Sequence, residues 1–369
     1  MDELCQAHLS KHLGSRRLSS VVNVGGLELG GINRPLIQSM NNTDTRDVSS
    51  TLKQIHDMHE AGVDFTRVAI PDIEAAAALK DITRLSPVPV VADIHFDYRL
   101  AIAAVENGAA KIRINPGNIG GEDRLRQVAH ACKERQVPIR VGVNSGSLAK
   151  RIIAGHGGIT AEALVSSALE TVQILEAVDF DDIVVSLKAS NPALTIACYR
   201  LLAKQSNYPL HLGVTEAGTL SSGVLRSAVG IGTLLAEGIG DTLRVSLTAD
   251  PIEEIKAAWG ILSALDIAHK GPVLISCPSC GRTEVDLIPI AEAVEERIKN
   301  LPYNISVAVM GCGVNGPGEA READVGIAGG RGEYLLFSQG KILGKVAQDE
   351  AVDRLMQLIE ERYGTKAKS

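Results

Sequence analysis

Residues 111–144 read KIRINPGNIGGEDRLRQVAHACKERQVPIRVGVN. Two β-rich runs, Lys111–Asn115 and Pro138–Asn144, flank a helix-like stretch that carries Cys132. The same alternation continues in both directions. Upstream lie Leu36–Met40, Phe65–Ile70 and Val88–Ile94; downstream lie Ile183–Lys188, Leu210–Glu216 and Thr242–Leu247. The interval is regular except for a longer gap before Ile183. Strands that alternate with helices in this way predict a parallel sheet with crossover helices. Eight of them predict a TIM (β/α)8 barrel, although a doubly wound sheet satisfies the same strand count.

Ahead of the first run, VVNVGGLELGG (residues 21–31) predicts a β-hairpin turned at Gly25-Gly26 that plugs the barrel floor. Behind the eighth, Asp250 caps a helix that has Pro251 at its first position and runs to Ala268. Lys270-Gly271-Pro272 breaks it. The expected division is a barrel over residues 1–270 and a small α+β domain over residues 271–369. In the latter, VLISCPSC and ISVAVMGC are strands that end in cysteines, and Asp286–Asn300 is a helix. DVGIAG and YLLFSQGKIL add strands, and Asp349–Arg362 is a closing helix.

Composition narrows the function classes. Hydrophobic residues are 45% and charged residues 22%, enough for a sizeable core, whereas aromatics are only 3% and glycines number 36. That mix suits βα units better than a β-sandwich. A net charge of −7 argues against nucleic acid as the main partner. No apolar stretch approaches the roughly 18 residues of a membrane span, and Arg16-Arg17 is followed by no apolar export segment. Six cysteines are too sparse for a secreted disulfide scaffold. A reducing compartment, the cytoplasm, is expected. Cys5, Cys132 and Cys198 read as ordinary free thiols.

The remaining cysteines are Cys277 and Cys280, in a CxxC string, and Cys312 in a glycine-dense loop with Gly311, Gly313, Gly316 and Gly318. Three thiolates are one short of a closed zinc site or an iron–sulfur cluster. Zinc wants a further Cys or His beside Cys312, and none is there; His269 lies across the domain break. Backbone N–H groups of a glycine-rich loop suit anionic sulfur. Glu319, seven residues after Cys312, offers a carboxylate as fourth ligand, harder and more exchangeable than thiolate.

The C-terminal ends of barrel strands carry active sites. Here they hold Asn41, Asn42, Arg67, Asp93, His95, Arg113, Asn115, Arg140, Asn144, Lys188, Ser190, Glu216, Arg244 and Ser246. Arg67, Arg113, Arg140, Lys188 and Arg244 place cations on separate strands, which suits a ligand with two or more phosphoryl groups. Glu216 is the acid/base candidate among them, and an ion pair with one of the arginines is the alternative for it. Gly117–Gly121 and Gly155–Gly158 read as turns, since neither has a nucleotide-loop context.

With these features in place, the chain resembles the 4-hydroxy-3-methylbut-2-enyl diphosphate synthases in their short bacterial form. The resemblance rests on RINPGN (113–118), RVGVNSGSL (140–148), SLKAS (186–190), HLGVTEAG (211–218), ISCPSCGR (275–282) and GCGVNGPGEA (311–320). Gly313 departs from it, standing where an aliphatic residue is expected. The resemblance implies one 4Fe–4S cluster on Cys277, Cys280, Cys312 and Glu319. It implies 2-C-methyl-D-erythritol 2,4-cyclodiphosphate as substrate, bound by Arg67, Arg113, Arg140, Asn144, Lys188, Arg244 and Ser246. Glu319 would exchange for a substrate oxygen, and Glu216 would donate a proton to the departing hydroxyl. Reduced ferredoxin or flavodoxin would supply electrons. A homodimer would set the cluster domain of one subunit over the barrel of the other.

Two alternatives stand beside this reading. A phosphate-ligand-binding TIM-barrel enzyme with a structural zinc domain accounts for the cations but not for the thiolate deficit. An iron–sulfur electron carrier or sensor accounts for the cluster and leaves the cation ring without purpose.

Overall fold

The computed structural model describes residues 13–313 and 322–364. Contacts divide the chain into two compact units, one ending at Ala268 and the other beginning at His269.

The first unit opens with β1 (Val22–Val24) and β2 (Leu27–Leu29), paired antiparallel. Gly25 and Gly26 turn the hairpin at φ of 58° and 95°, left-handed values that glycine adopts without strain. Eight strands follow: β3 (Leu36–Met40), β4 (Phe65–Ile70), β5 (Val90–Ile94), β6 (Lys111–Ile114), β7 (Ile139–Asn144), β8 (Ile183–Lys188), β9 (His211–Leu212) and β10 (Thr242–Leu243). The helices between and after them are α1 (Val48–Ala61), α2 (Ile73–Leu85), α3 (Tyr98–Glu106), α4 (Glu122–Glu134), α5 (Lys150–Gly155), α6 (Ala161–Glu176), α7 (Pro192–Ala203), α8 (Leu220–Ala236) and α9 (Pro251–Ala264). The long gap before β8 is filled by two helices, α5 and α6. Asp47, Asp72, Asp97, Thr160, Asn191 and Asp250 cap their helices by accepting first-turn N–H bonds.

All eight strands pair in parallel, in the order β8-β7-β6-β5-β4-β3-β10-β9. A parallel bridge between Val185 and Leu210 joins β8 to β9, with the Val185 N–H donating to the Pro209 carbonyl at 2.9 Å. The sheet therefore closes into a barrel, and the doubly wound alternative falls. Outward-facing residues such as Val68, Ile112, Val141 and Val185 pack under the helices against Ile55, Leu79, Leu164 and Leu234. Inward-facing Leu36, Phe65, Val91 and Val184, near the strand starts, pack against Val22, Val24 and Leu29 of the hairpin. The hairpin is thus the barrel floor.

Two strands are shorter than expected. The ladders at β9 and β10 cover two residues each, where Leu210–Glu216 and Thr242–Leu247 read as continuous strands. The Arg244 N–H still donates to the Leu212 carbonyl at 2.9 Å, and beyond it the chain turns at Glu216 with φ 53°. Likewise α9 ends before Ala268, at a positive φ of 54° on Asp266.

The second unit is a five-stranded sheet in the order β11 (Val273–Ser276), β12 (Ser306–Met310), β13 (Val325–Gly330), β14 (Glu333–Ser338) and β15 (Lys341–Ala347). The first three strands are parallel and the last two antiparallel. Helices α10 (Leu287–Ile298) and α11 (Ala351–Ile359) cover one face, packing Leu287, Val294, Leu355 and Leu358 on Val307, Val309, Val325 and Ile327. YLLFSQGKIL is a hairpin, turned at Gln339 and Gly340 with φ of 47° and 71°.

Candidate functional site

Successive side chains on a strand point to opposite faces. Phe65, Val91 and Val184 face inward at the floor, so Arg67, Asp93 and Ser186, two residues on, face inward above them. Lys111 and Arg113 of β6 and Arg140, Gly142 and Asn144 of β7 share that interior. Asp93 pairs in register with Arg113, and Arg113 with Arg140. Arg67, Arg113, Arg140 and Lys188 are all buried, with Arg140 only 1% exposed. Arg67, Arg113 and Arg140 lie within the barrel rather than at its rim, whereas Lys188 ends β8 in register with Asn144 and carries its amine to His211. Arg140 is the second residue of β7, well before the strand end at Asn144.

Two carboxylates hold part of this charge. Asp93 accepts from Arg113 Nη1 at 3.1 Å, lies 3.7 Å from Arg67 Nε and meets His95 Nε2 at 3.2 Å. Burial opposes its charge, but Arg67, the His95 hydrogen bond and Arg113 outweigh that and hold its carboxyl well below the usual range. Glu254, from α9, takes Arg244 through both oxygens at 3.1 and 3.3 Å. Arg67 also donates to the Met40 sulfur at 2.7 Å. Burial pushes Arg67 down to about 10, with Asp93 opposing.

Among the described residues Arg140, Lys111 and Lys188 are less well served. Arg140 donates to Gln38 Oε1 at 3.0 Å and leaves its Nε without a partner. Lys111 stands 4.2 Å over the Phe65 ring and has no hydrogen-bond partner for Nζ. Lys188 Nζ lies 3.3 Å from His211 Nε2. Gln38 Nε2, Arg113 Nε, His211 Nδ1 and Thr242 Oγ1 are also buried without partners among the described residues. Orphaned buried donors in a cationic cavity are what a polyanion would satisfy. Two glycines make the space: a Cβ on Gly142 would fall 2.7 Å from Arg113 Nε, and one on Gly213 2.8 Å from Lys188 Nζ.

Above these, Asn144 closes β7 and Ser246 lies past β10, both half-buried. Asn115 donates to Ser147 Oγ at 3.0 Å, and Ser147 donates to the Asn144 carbonyl at 3.1 Å. Glu216 is exposed, at the left-handed turn after β9. Among the described residues its carboxylate has no ion pair, so the expected alternative of an arginine partner is not what the fold adopts. Three inward residues escaped the sequence reading. Lys111 was legible as the alternate of Arg113 in KIRIN, and His211 as the start of HLGVTE. Glu254 sits on a helix outside the barrel wall and carries no strand-end signal.

In the second unit, β11 and β12 are parallel neighbours with Ser276 opposite Val309. Cys277 follows β11 directly and Cys312 follows β12 by one residue, so both sit at the same sheet end. The Gly311 N–H donates to Cys277 Sγ at 3.1 Å, and the Glu284 N–H donates to the Gly311 carbonyl at 3.0 Å. The CxxC loop is thereby tied to the loop after β12. The Arg282 N–H and guanidinium lower the Cys280 thiol below its usual value. N–H donors on sulfur and a stabilised thiolate fit an iron–sulfur cluster. Among the described residues no three His, Cys, Asp or Glu converge on a position for one metal ion. Glu319 and Cys5 lie outside the described residues.

Fold and site together define a TIM barrel with a polycationic interior, joined to an α+β unit that carries Cys277 and Cys312 at one sheet end. The chain belongs to the GcpE family: residues 19–259 match the GcpE TIM-barrel domain and residues 273–361 the GcpE protein C-terminal domain. It is 57% identical to the 4-hydroxy-3-methylbut-2-en-1-yl diphosphate synthase (flavodoxin) of Clostridium perfringens, over 94% of this chain and 99% of that one. It is 54% identical to the synthase of the same name from Caldanaerobacter subterraneus, over 94% and 97%. The Geobacillus thermodenitrificans synthase is also 54% identical, over 94% of each chain.

Proposed function

We propose that this protein reductively opens 2-C-methyl-D-erythritol 2,4-cyclodiphosphate to 4-hydroxy-3-methylbut-2-enyl diphosphate, a step of isoprenoid precursor synthesis. The observation that carries the reading is the charge inside the barrel. Among the described residues, Arg67, Lys111, Arg113, Arg140, Lys188 and Arg244 face only Asp93 and Glu254 as balancing carboxylates. A ligand with two phosphoryl groups supplies the missing negative charge and the missing acceptors.

Arg67, Arg113, Arg140, Lys188 and Arg244 bind the diphosphate, and Asn144 and Ser246 orient the polyol near the strand ends. Cys277, Cys280, Cys312 and Glu319 would hold one 4Fe–4S cluster, which would relay the two electrons one at a time from the external carrier. Glu216, exposed and unpaired at the rim, delivers a proton to the hydroxyl that leaves as water. Ring opening frees one end of the diphosphate as a new anion, which the arginines stabilise as it forms.

The electron donor is reduced flavodoxin, the carrier for which the relatives are named, with ferredoxin as the alternative. Among the described residues no helix is long and apolar enough to cross a membrane, in keeping with a cytoplasmic reaction. The working form is a homodimer with the cluster unit of one subunit over the barrel of the other, as the family resemblance implies. Mixing a Lys188→Met subunit with a Cys277→Ser subunit tests this: activity recovered on mixing supports the dimer, and none recovered refutes it.

The whole reading is tested by the iron, acid-labile sulfide and zinc content of anaerobically purified protein, with spectra before and after adding the cyclodiphosphate. About four irons and four sulfides per chain, with a spectrum that responds to substrate, is the expected result. One zinc without sulfide returns the chain to phosphate-binding barrels with a structural metal.

A further inference from the structure

Lys188 is held by another base. Its Nζ lies 3.3 Å from Nε2 of His211, and both side chains are buried. Gly213, two residues beyond His211 and on the same inward face, leaves the space the lysine stem fills. A Cβ there would fall 2.8 Å from Nζ and 3.0 Å from Cε. Behind them, the fully buried Tyr199 hydroxyl accepts from the Leu187 N–H at 3.0 Å and donates to the His211 carbonyl. That hydroxyl ties β8 to β9 at the level of the contact.

Among the described residues Lys188 has no carboxylate partner. Asp93 is engaged by Arg67, Arg113 and His95, and Glu254 by Arg244, Ser39 and the Leu247 N–H. The charged groups that face Lys188 are Arg140, Arg67, Arg244 and Arg113; those that face His211 are Arg140, Lys188, Lys111 and Arg67. Burial first, and then these cations, push both Lys188 and His211 well below their ordinary values. His211 Nδ1 has no partner among the described residues.

We propose that His211 is the positioning residue for Lys188, and that entry of a dianionic ligand into the barrel is coupled to uptake of a proton by this pair. A neutral amine and an ammonium can each donate to Nε2, so the contact survives the change of charge. In the ligand-free barrel the neighbouring arginines oppose a charge on Lys188. Two phosphoryl groups reverse the local field, and the amine takes a proton from solvent to become an ammonium. The inference rests on the substrate reading above.

The experiment is calorimetric titration of the cluster-loaded protein with the cyclodiphosphate, near pH 8, in buffers of different ionisation enthalpy. Each phosphoryl group of that ligand keeps one strongly acidic hydroxyl, so the ligand itself exchanges no proton there. Wild type is expected to take up close to one proton per ligand, and Lys188→Met close to none. His211→Leu is expected to weaken binding by about tenfold or more and to shift its pH profile. His211→Gln, which keeps a side-chain acceptor, should recover most of the affinity, and it keeps the test open should the Leu variant fail to fold. Binding without proton exchange overturns this inference alone, as does a folded His211→Leu protein with wild-type affinity and pH profile. No binding by wild type takes down the substrate reading and this inference together.

Discussion

Glu254 reaches inward from α9 and meets the Arg244 guanidinium with both oxygens, at 3.1 Å from Nη2 and 3.3 Å from Nε. The same carboxylate accepts from Ser39 Oγ at 2.9 Å and from the Leu247 N–H at 3.0 Å. A residue of the helical ring therefore fixes β3, Arg244 and the segment beyond β10 at once.

Replacing Glu254 by Ala leaves the Arg244 charge in a barrel already rich in cations. Loss of one partner of a buried pair costs about 3 kcal/mol, and denaturant unfolding should show a fall of that order. A variant within about 0.5 kcal/mol of wild type, the range of ordinary surface changes, would show that the pair contributes little.

Asp93 gives stability a pH dependence of known sign. Its folded value lies well below the usual range, and the unfolded carboxyl titrates near about pH 4. Its contribution is complete above about pH 4 and is lost as pH falls from there toward the folded value. Urea midpoints measured at pH 7 and pH 3 should drop further for wild type than for Asp93→Asn. Equal drops would mean that Asp93 is not held as the geometry indicates.

Gly213→Ala should disturb the site more than the fold. Its Cβ would sit 2.8 Å from Lys188 Nζ and 2.9 Å from the Arg244 carbonyl. A displacement of about 1 Å in a positioning group costs on the order of a hundredfold in kcat/KM, here through a raised KM. Gly142→Ala should act the same way through Arg113. A Gly213→Ala enzyme with an unaltered KM would show that Lys188 finds another route to the ligand.

Glu216→Gln removes the proposed proton donor at the rim and should lower turnover by about a hundredfold or more while cyclodiphosphate still binds. Glu319→Ala should abolish turnover and change the spectrum of the loaded protein. Wild-type rates in either variant would withdraw its role.

Much of the architecture was legible because βα repetition is written locally. Each strand announces itself by a β-rich run and α9 by Asp250-Pro251, so Leu36–Met40, Phe65–Ile70 and Ile183–Lys188 appear in the fold with the boundaries read from the chain. The short ladders at β9 and β10 were not legible. LHLGVTE and TLRVSL are β-rich throughout, and the left-handed turn at Glu216, with φ 53°, is a backbone choice that its residue type does not announce.

By itself the sequence determined the βα order, the cysteine strings and the identity of the arginines, since these depend on residue type and near neighbours. Only the tertiary structure decided which charges meet. It drew Glu254 from an outer helix onto Arg244, set His211 against Lys188, and sank Arg140 to the level of Gln38. The physical reason is closure of the sheet. When β8 joins β9, side chains from distant segments are forced into one water-poor volume, where each charge must find a partner, give up its proton or await a ligand.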